Sequence, residues 1–470
     1  MESKKRFFNP EVLLWKDYYS FLLKNWIFPL AQRIQGRDFH KMMEYAQRNQ
    51  FLSRDEMRDL QFEKLTSLLH HAYQNVPYYH SSFSEAGIIP SDIKTWDDIQ
   101  KIPILTKEQI RDNKRLFLAK ELWSPVYKVR TTGSTGIPLS FYKSQNAALS
   151  SHICRIRALR WWGIELGDRN FRINNLGLYF GNGFKRFYNE RIKTPIWNRA
   201  MNRKSMPAYY MTPERMEYSW RALKKFSPKY LFGYPSAIAI FARYLDDHGY
   251  DGREADLKLA VTTGELLHRW QEQAISEVFG CPVADIYGTV EVGVIAIGHP
   301  CGKMHTMDDI KFIEVQKQNQ ENEHGQVIVT HLEEWSCPII RYKLGDIARP
   351  VRETISCTLD LGFSIIEGLE GRSQDVIRLP SGRILIGNTF HRLMYVVGGV
   401  RQFQVIQKMP DLFEFTIVPD GRLFTRQQED ILHSIADKHL EGANIIINQV
   451  ESIPRESTGK IRYVKSEVGI

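Results

Sequence analysis

Arg130-Thr131-Thr132-Gly133-Ser134-Thr135-Gly136-Ile137-Pro138-Leu139, followed at once by Ser140-Phe141-Tyr142-Lys143, is the stretch that decides how this chain is read. Four hydroxyls and two glycines between Thr131 and Gly136 leave the backbone N–H groups unobstructed, and the hydroxyls add donors of their own. That composition suits a phosphate cradle feeding a short strand. It is not a Walker loop, because two residues separate Gly133 from Gly136 and no lysine follows, so kinase and GTPase templates fall away. A plain polar turn has the same composition, and what decides between the two lies elsewhere in the chain.

The surrounding composition narrows the classes. With 63 basic and 54 acidic residues among 470, the formal charge of +9 is thinly spread. Lys4-Lys5-Arg6 and Lys224-Lys225 read as solvated surface, and no interleaved aromatic and basic motif points to nucleic acid. A modest positive balance suits an enzyme that handles ATP, or one that rests near anionic lipid. Hydrophobic residues make up 43% of the chain, enough for a large soluble core. No apolar run reaches the roughly 18 residues of a spanning helix, since Lys24, Asn25 and Arg33 break Tyr18 to Ile34, and no signal peptide is read. Cys154, Cys281, Cys301, Cys337 and Cys357 show no CxxC spacing, so a reducing cytoplasm is expected, with a seat peripheral to the inner membrane face left open.

On the N-terminal side, residues 1 to about 50 carry weak helical periodicity. Ser53-Arg54-Asp55-Glu56 is a capping box opening a helix that ends before Pro77. On the other side, a long helix is expected from Gln145 to Trp162, its Arg155, Arg157 and Arg160 read as surface charge with ligand contact as the lesser option. Then Lys229 to Gly233, Leu257 to Thr262 and Pro282 to Tyr287 read as strands, each followed by a glycine turn and a helix. That rhythm predicts an α/β fold with a mostly parallel sheet, whose ligands sit beyond the carboxyl ends of the strands. Gly264-Glu265 and Gly288-Thr289-Val290-Glu291 fall there. From Lys311 to Arg349 the pattern turns to alternating strands. The last hundred residues read as a small α+β unit ending in the polar loop Ile453 to Lys460, a place from which a mobile domain can deliver a charge.

Five separated patches, in the same order, resemble the adenylate-forming (ANL, acyl-CoA synthetase-like) superfamily, on its phenylacetate–CoA ligase and CapK-like side. Gln61-Phe62-Glu63-Lys64-Leu65, Asn75-Val76-Pro77-Tyr78-Tyr79 and Ile102 to Lys107 look like that branch's N-terminal signature. By this resemblance Thr131, Thr132, Gly133, Ser134, Thr135 and Gly136 hold the β- and γ-phosphates of ATP. Gly264 and Glu265 form the adenine turn, Tyr287, Gly288 and Thr289 flank the nucleotide, and Glu291 holds Mg²⁺. Asp346 takes the ribose hydroxyls with Arg372 beside it, Lys460 is the catalytic lysine, and Tyr234 and Pro235 wall the acyl pocket. The resemblance implies a large N-terminal α/β domain over residues 1–370, with a helical extension to about residue 60, and a small mobile α+β domain over 371–470.

The implied activity is ATP- and Mg²⁺-dependent conversion of a carboxylic acid, an aromatic one among the options, to an acyl-adenylate, followed by transfer to coenzyme A. Departures keep other outcomes open. Val290 and Gln374 stand where relatives differ, and Leu379 to Arg383 does not look like the usual thiol-binding stretch. An amine or amino sugar of surface-polysaccharide biosynthesis is therefore a rival acceptor, and a catalytically silent nucleotide-binding scaffold is a second rival. Some relatives carry zinc near Cys301, His305 and Cys357, but no fourth ligand is evident here, and isolated cysteines are the reading adopted.

Overall fold

The computed structural model describes residues 18–130, 139–174, 194–208, 211–317, 323–352, 361–369, 376–381, 384–386, 390, 393–394, 396–421, 423–454 and 462–468. The capping box forms as expected: the Ser53 N–H donates to Glu56 Oε2 at 2.7 Å and the Glu56 N–H to Ser53 Oγ at 3.3 Å. The helix it starts, Arg54–Asn75, buries Leu65, Leu68, Leu69 and Ala72 and stops one residue before Val76-Pro77, whose ring cannot continue it.

Strands β1 (Val126–Arg130) and β2 (Ser140–Ser144) pair antiparallel, with Arg130 opposite Ser140, so the glycine-rich candidate loop joins two paired strands. Ser144 Oγ accepts from the Ala147 N–H at 3.1 Å and opens helix α1 (Gln145–Trp161). Strands β3 (Asn170–Asn174), β4 (Arg203–Pro207), β5 (Tyr230–Gly233), β6 (Leu259–Thr263) and β7 (Val283–Thr289) run parallel in the order β4-β3-β5-β6-β7, and β8 (Gly293–Gly298) and β9 (Met304–Thr306) extend the sheet antiparallel. All four residues of β5 are buried, as a strand covered on both faces requires. One face packs under α2 (Pro213–Phe226), α3 (Pro235–Asp247) and α4 (Arg269–Phe279) through Phe171, Ile173, Trp220, Phe241 and Ile275. The other packs on α1 through Cys154, Ala158, Phe232 and Val261.

Two expectations need correcting. The third strand, β7, runs on through Gly288-Thr289 and is followed by β8, where the sequence rhythm predicts a helix. The apolar run Val294-Ile295-Ala296-Ile297 is too short for a helix to bury and completes a hairpin instead. Arg157 is not surface charge. Its guanidinium is fully buried and grips Asp309 with two bonds, 2.6 and 3.0 Å.

Beyond β9, strands β10 (Lys311–Gln316), β11 (Gly325–His331) and β12 (Tyr342–Ala348) form an antiparallel sheet. A short hairpin of β13 (Val376–Arg378) and β14 (Ile384–Ile386) precedes the last sheet. There β15 (Val400–Met409) and β16 (Leu412–Pro419) pair antiparallel, with β17 (Asn444–Gln449) and β18 (Val464–Ser466) parallel on the outer edges and helix α5 (Arg426–His439) covering a core of Phe403, Phe413, Phe415 and Leu432. This C-terminal sheet sits against α3 and α4: Arg243 pairs with Asp420 at 2.7 Å, Trp270 joins its core, and the Tyr463 ring meets His268 edge-on at 5.6 Å.

Candidate active site

The carboxyl ends of β5, β6 and β7 form one edge of the large sheet. Pro235, buried, sits in the first turn of α3 directly after Tyr234, where its missing N–H leaves no bond unmade. At the next exit Gly264 turns with φ +82°, a conformation that favours glycine, and carries Glu265 back toward β5. Glu265 Oε2 accepts from the Ser236 N–H at 3.1 Å, so a carboxylate closes the positive end of α3 and ties two strand exits together.

From β7, the Tyr287 hydroxyl donates to Asp346 Oδ2 at 2.8 Å, joining the parallel sheet to β12 of the three-stranded one. Gly288 admits nothing larger, because a Cβ there would lie 2.5 Å from the Gly293 carbonyl oxygen across the hairpin. The Thr289 hydroxyl accepts from the Val292 N–H at 3.3 Å and holds the turn that carries Glu291. Glu291 is only half-buried and presents a hard oxygen donor of the kind Mg²⁺ takes. Thus Tyr234, Pro235, Gly264, Glu265, Tyr287, Gly288, Thr289, Glu291 and Asp346 gather along one edge. Thr131 to Gly136, Arg372 and Lys460 lie outside the described residues.

Sequence reasoning missed Lys143. It follows the glycine-rich stretch on β2, lies buried, and its ammonium donates to the Val290 carbonyl at 3.1 Å in the turn that carries Glu291. Burial pulls Lys143 below its ordinary value against the attraction of Glu334 and Glu291. Burial also raises Glu334, although the Ser144 N–H (3.0 Å) and Cys337 N–H (3.3 Å) both donate to it. No motif marks this group, whose members stand far apart in the chain. Asp285, within β7, was equally silent in sequence: burial pushes it up to about 7, while the Thr262 hydroxyl donates to its Oδ1 at 2.6 Å.

A second cluster revises the reading of Cys301 as an isolated cysteine. His299, Cys301 and His305 bring one ligand atom each within 4.8 Å of one another, and Cys301 Sγ lies 3.6 Å from His305 Nε2. Burial, then the neighbouring His305, lowers His299 to about 4, which keeps that imidazole neutral, as a metal ligand must be. His299 was the missed member, while Cys357 falls outside the described residues.

Residues 378–467 match the CapK C-terminal domain family. The chain is 25% identical over 336 residues to phenylacetate-coenzyme A ligase of Escherichia coli (strain K12), an alignment covering 69% of this chain and 72% of the relative. It is 22% identical to protein CapK of Staphylococcus aureus over 93% of this chain and 96% of that one. Among solved structures, 2-hydroxyisobutyryl-CoA ligase in the postadenylation state in complex with R3-HIB-AMP superimposes with a TM-score of 0.73 at 18% identity, over 89% of this chain and 91% of that one.

Proposed function

From a chain whose homologues are phenylacetate-coenzyme A ligases and CapK, and whose fold is that of adenylate-forming CoA ligases, we propose an AMP-forming acid–CoA ligase. The single contact that carries this reading is Tyr287 to Asp346 at 2.8 Å. It sets an aromatic ring beside a carboxylate at the mouth of a parallel sheet, the pair one nucleoside needs for its base and its ribose hydroxyls. Glu265 and Gly264 border the base, Thr131 to Gly136 wrap the terminal phosphates, and Tyr234 and Pro235 line the acyl pocket.

In the first step a carboxylate oxygen attacks the α-phosphorus of ATP. The new O–P bond forms as the bond to the β-phosphate oxygen breaks, and pyrophosphate leaves with that electron pair. Two anions must meet, so preplaced cations lower the barrier. Lys460 supplies one from the C-terminal unit, which we take as residues 371–470 hinged near Arg372. Bound at Glu291, Mg²⁺ would neutralise charge on the phosphates. Lys143 steadies the Glu291 turn through the Val290 carbonyl. In the second step the thiol sulfur of coenzyme A attacks the acyl carbon, the C–O bond to the phosphate breaks, AMP leaves with that electron pair, and the thiol proton passes to solvent.

Exchange of labelled pyrophosphate into ATP across a panel of carboxylic acids tests the first step. One acid class should support exchange, and Lys460→Ala should reduce it 10²- to 10³-fold or about 3–4 kcal/mol in barrier, the usual loss of one preorganised charge donor. Equal exchange in both proteins removes Lys460 from the mechanism, and silence with every acid favours a nucleotide-binding scaffold. A second reading, with an amine or amino sugar as acceptor, rests on Leu379-Pro380-Ser381-Gly382-Arg383, which departs from the usual thiol-binding stretch. Coenzyme A added to the active acid separates the two: thioester formation supports the first, and its absence while exchange persists supports the second.

A further inference from the structure

At the opposite, amino end of the parallel sheet, three arginines converge on one cleft. Arg172 lies on β3, Arg203 opens β4, and Arg155 comes down from α1. Adjacent strands bring Asn170, Arg203 and Tyr230 into register. The Arg172 guanidinium lies over the Phe232 ring at 4.7 Å and that of Arg155 over the same ring at 5.7 Å, so the two cations share one aromatic ring. Arg172 Nε donates to Asn170 Oδ1 at 2.9 Å, and an Arg155 Nη donates to His152 Nδ1 at 2.6 Å. Arg203 Nε is buried with no hydrogen bond among the described residues.

Every cation in that list lacks a carboxylate partner among the described residues. The two acids that line the cleft are committed elsewhere: Glu165 to Arg160 at 2.9 Å and Lys24 at 3.1 Å, Asp168 to Lys229 at 2.6 Å. Burial, then the neighbouring guanidinium charges, lowers Arg172 to about 9 and Arg203 to about 10, values at which both stay charged at neutral pH. Burial, and after it the same three charges, hold His152 well below its ordinary value, so it adds no charge and accepts from Arg155. Three like charges held together at low dielectric repel by several kcal/mol unless a counter-charge sits between them. Arg157, two residues beyond Arg155, shows the contrast, since Asp309 neutralises it completely.

We propose that this cleft is an anion site for a phosphate group, distinct from the nucleotide edge at the far end of the sheet. The planar fork of each guanidinium presents parallel N–H donors to a tetrahedral oxyanion, and the cleft is small and open to solvent, which suits a single phosphate group. Neither the acid nor the acceptor of the ligase reaction enters this inference.

Calorimetric titration of the full chain with inorganic phosphate, at an ionic strength matched with sodium chloride, tests it. One phosphate should bind per chain, with affinity falling about tenfold or more in Arg203→Gln and in Arg172→Gln, as expected when one hydrogen bond to a charged group is lost. Arg203→Lys should fall between. Without phosphate, both glutamine variants should melt at or above the parent temperature, because a repelling charge has gone. Parallel titrations with pyrophosphate and glycerol 3-phosphate, each counted only for the binding lost in Arg203→Gln, identify the source: tightest binding by either inorganic ion marks free phosphate or pyrophosphate, and by the ester marks a phosphorylated metabolite. Phosphate that binds Arg203→Gln as tightly as the parent sits elsewhere and overturns the proposal. So does the absence of binding by all three probes, or glutamine variants that melt lower, which would make the arginines purely structural.

Discussion

The two ends of the parallel sheet handle charge in opposite ways. At the carboxyl ends the side chains are acids and hydroxyls, among them Glu265, Thr289, Glu291 and Asp346, and the cation nearby, Lys143, is spent on a backbone carbonyl. At the amino ends Arg155, Arg172 and Arg203 crowd one cleft. Helix polarity accounts for the difference. Helix α3 begins at the carboxyl-end edge and points its partial positive charge there, where the Glu265 carboxylate answers it. Helix α1, by contrast, ends toward the amino side, where side chains alone must supply positive charge.

If pairing separates these arginines, the largest effect belongs to the one that has a partner. Arg157→Ala should destabilise the fold by about 3–5 kcal/mol, because Asp309 is left as an uncompensated buried charge. Chemical denaturation of the full chain measures it. Loss of stability as small as that of Arg203→Gln would erase the contrast between paired and unpaired cations.

Next comes the carboxyl-end edge itself. Glu291→Gln keeps the shape of the turn and removes the charge, so pyrophosphate exchange should fall 10²- to 10³-fold, about 3–4 kcal/mol, with the melting temperature unchanged. Phosphate binding at the arginine cleft should not move in this variant. Coupled loss of both would show that the two ends are one site.

Asp285 lies inside β7, between the ends, and sharpens the comparison through pH. Its folded value, pushed up by burial to about 7, stands above the usual carboxyl value near 4. The folded chain therefore keeps a proton that the unfolded chain gives up. The stability this contributes is whole below about pH 4 and is lost as pH rises through 7, by up to about 1.4 kcal/mol per pH unit. Asp285→Asn should remove that slope and gain roughly 2–3 kcal/mol on the parent between pH 4.5 and 7.5. Parallel pH profiles for the two proteins would mean that the carboxyl is ionised in the fold.

What could be read in advance follows from where each signal is stored. The strands around Tyr230, Val261 and Ile286 and the turn at Gly264 were legible because apolar runs, glycine and helix caps lie within a few residues of one another. The exit of β7 misled, since Gly288-Thr289 closes a hairpin in place of opening a helix. Lys143 is defined by a carbonyl 147 positions away, and Arg155, Arg172 and Arg203 by a sheet order no local pattern encodes. Arg157 shows the same failure with the sign reversed: on a helix it looks like solvated charge until Asp309 closes on it from another segment.

The smallest effect concerns the contact that carries the functional reading. Tyr287→Phe keeps the ring and deletes the hydroxyl that donates to Asp346 at 2.8 Å. Both groups are only half-buried, so water replaces part of what is lost and the Asp346 carboxylate stays in place for the proposed ribose contact. The KM for ATP should rise about fivefold, near 1 kcal/mol, with turnover at saturating ATP held. That split separates positioning of the nucleoside from chemistry at the phosphates, where Glu291→Gln lowers turnover itself. A fall in turnover with KM unchanged would move Tyr287 from the base to the reacting end of the edge. Unchanged values of both would leave the Tyr287–Asp346 pair a strut between two sheets, and the nucleoside would have to be sought elsewhere along the strand exits.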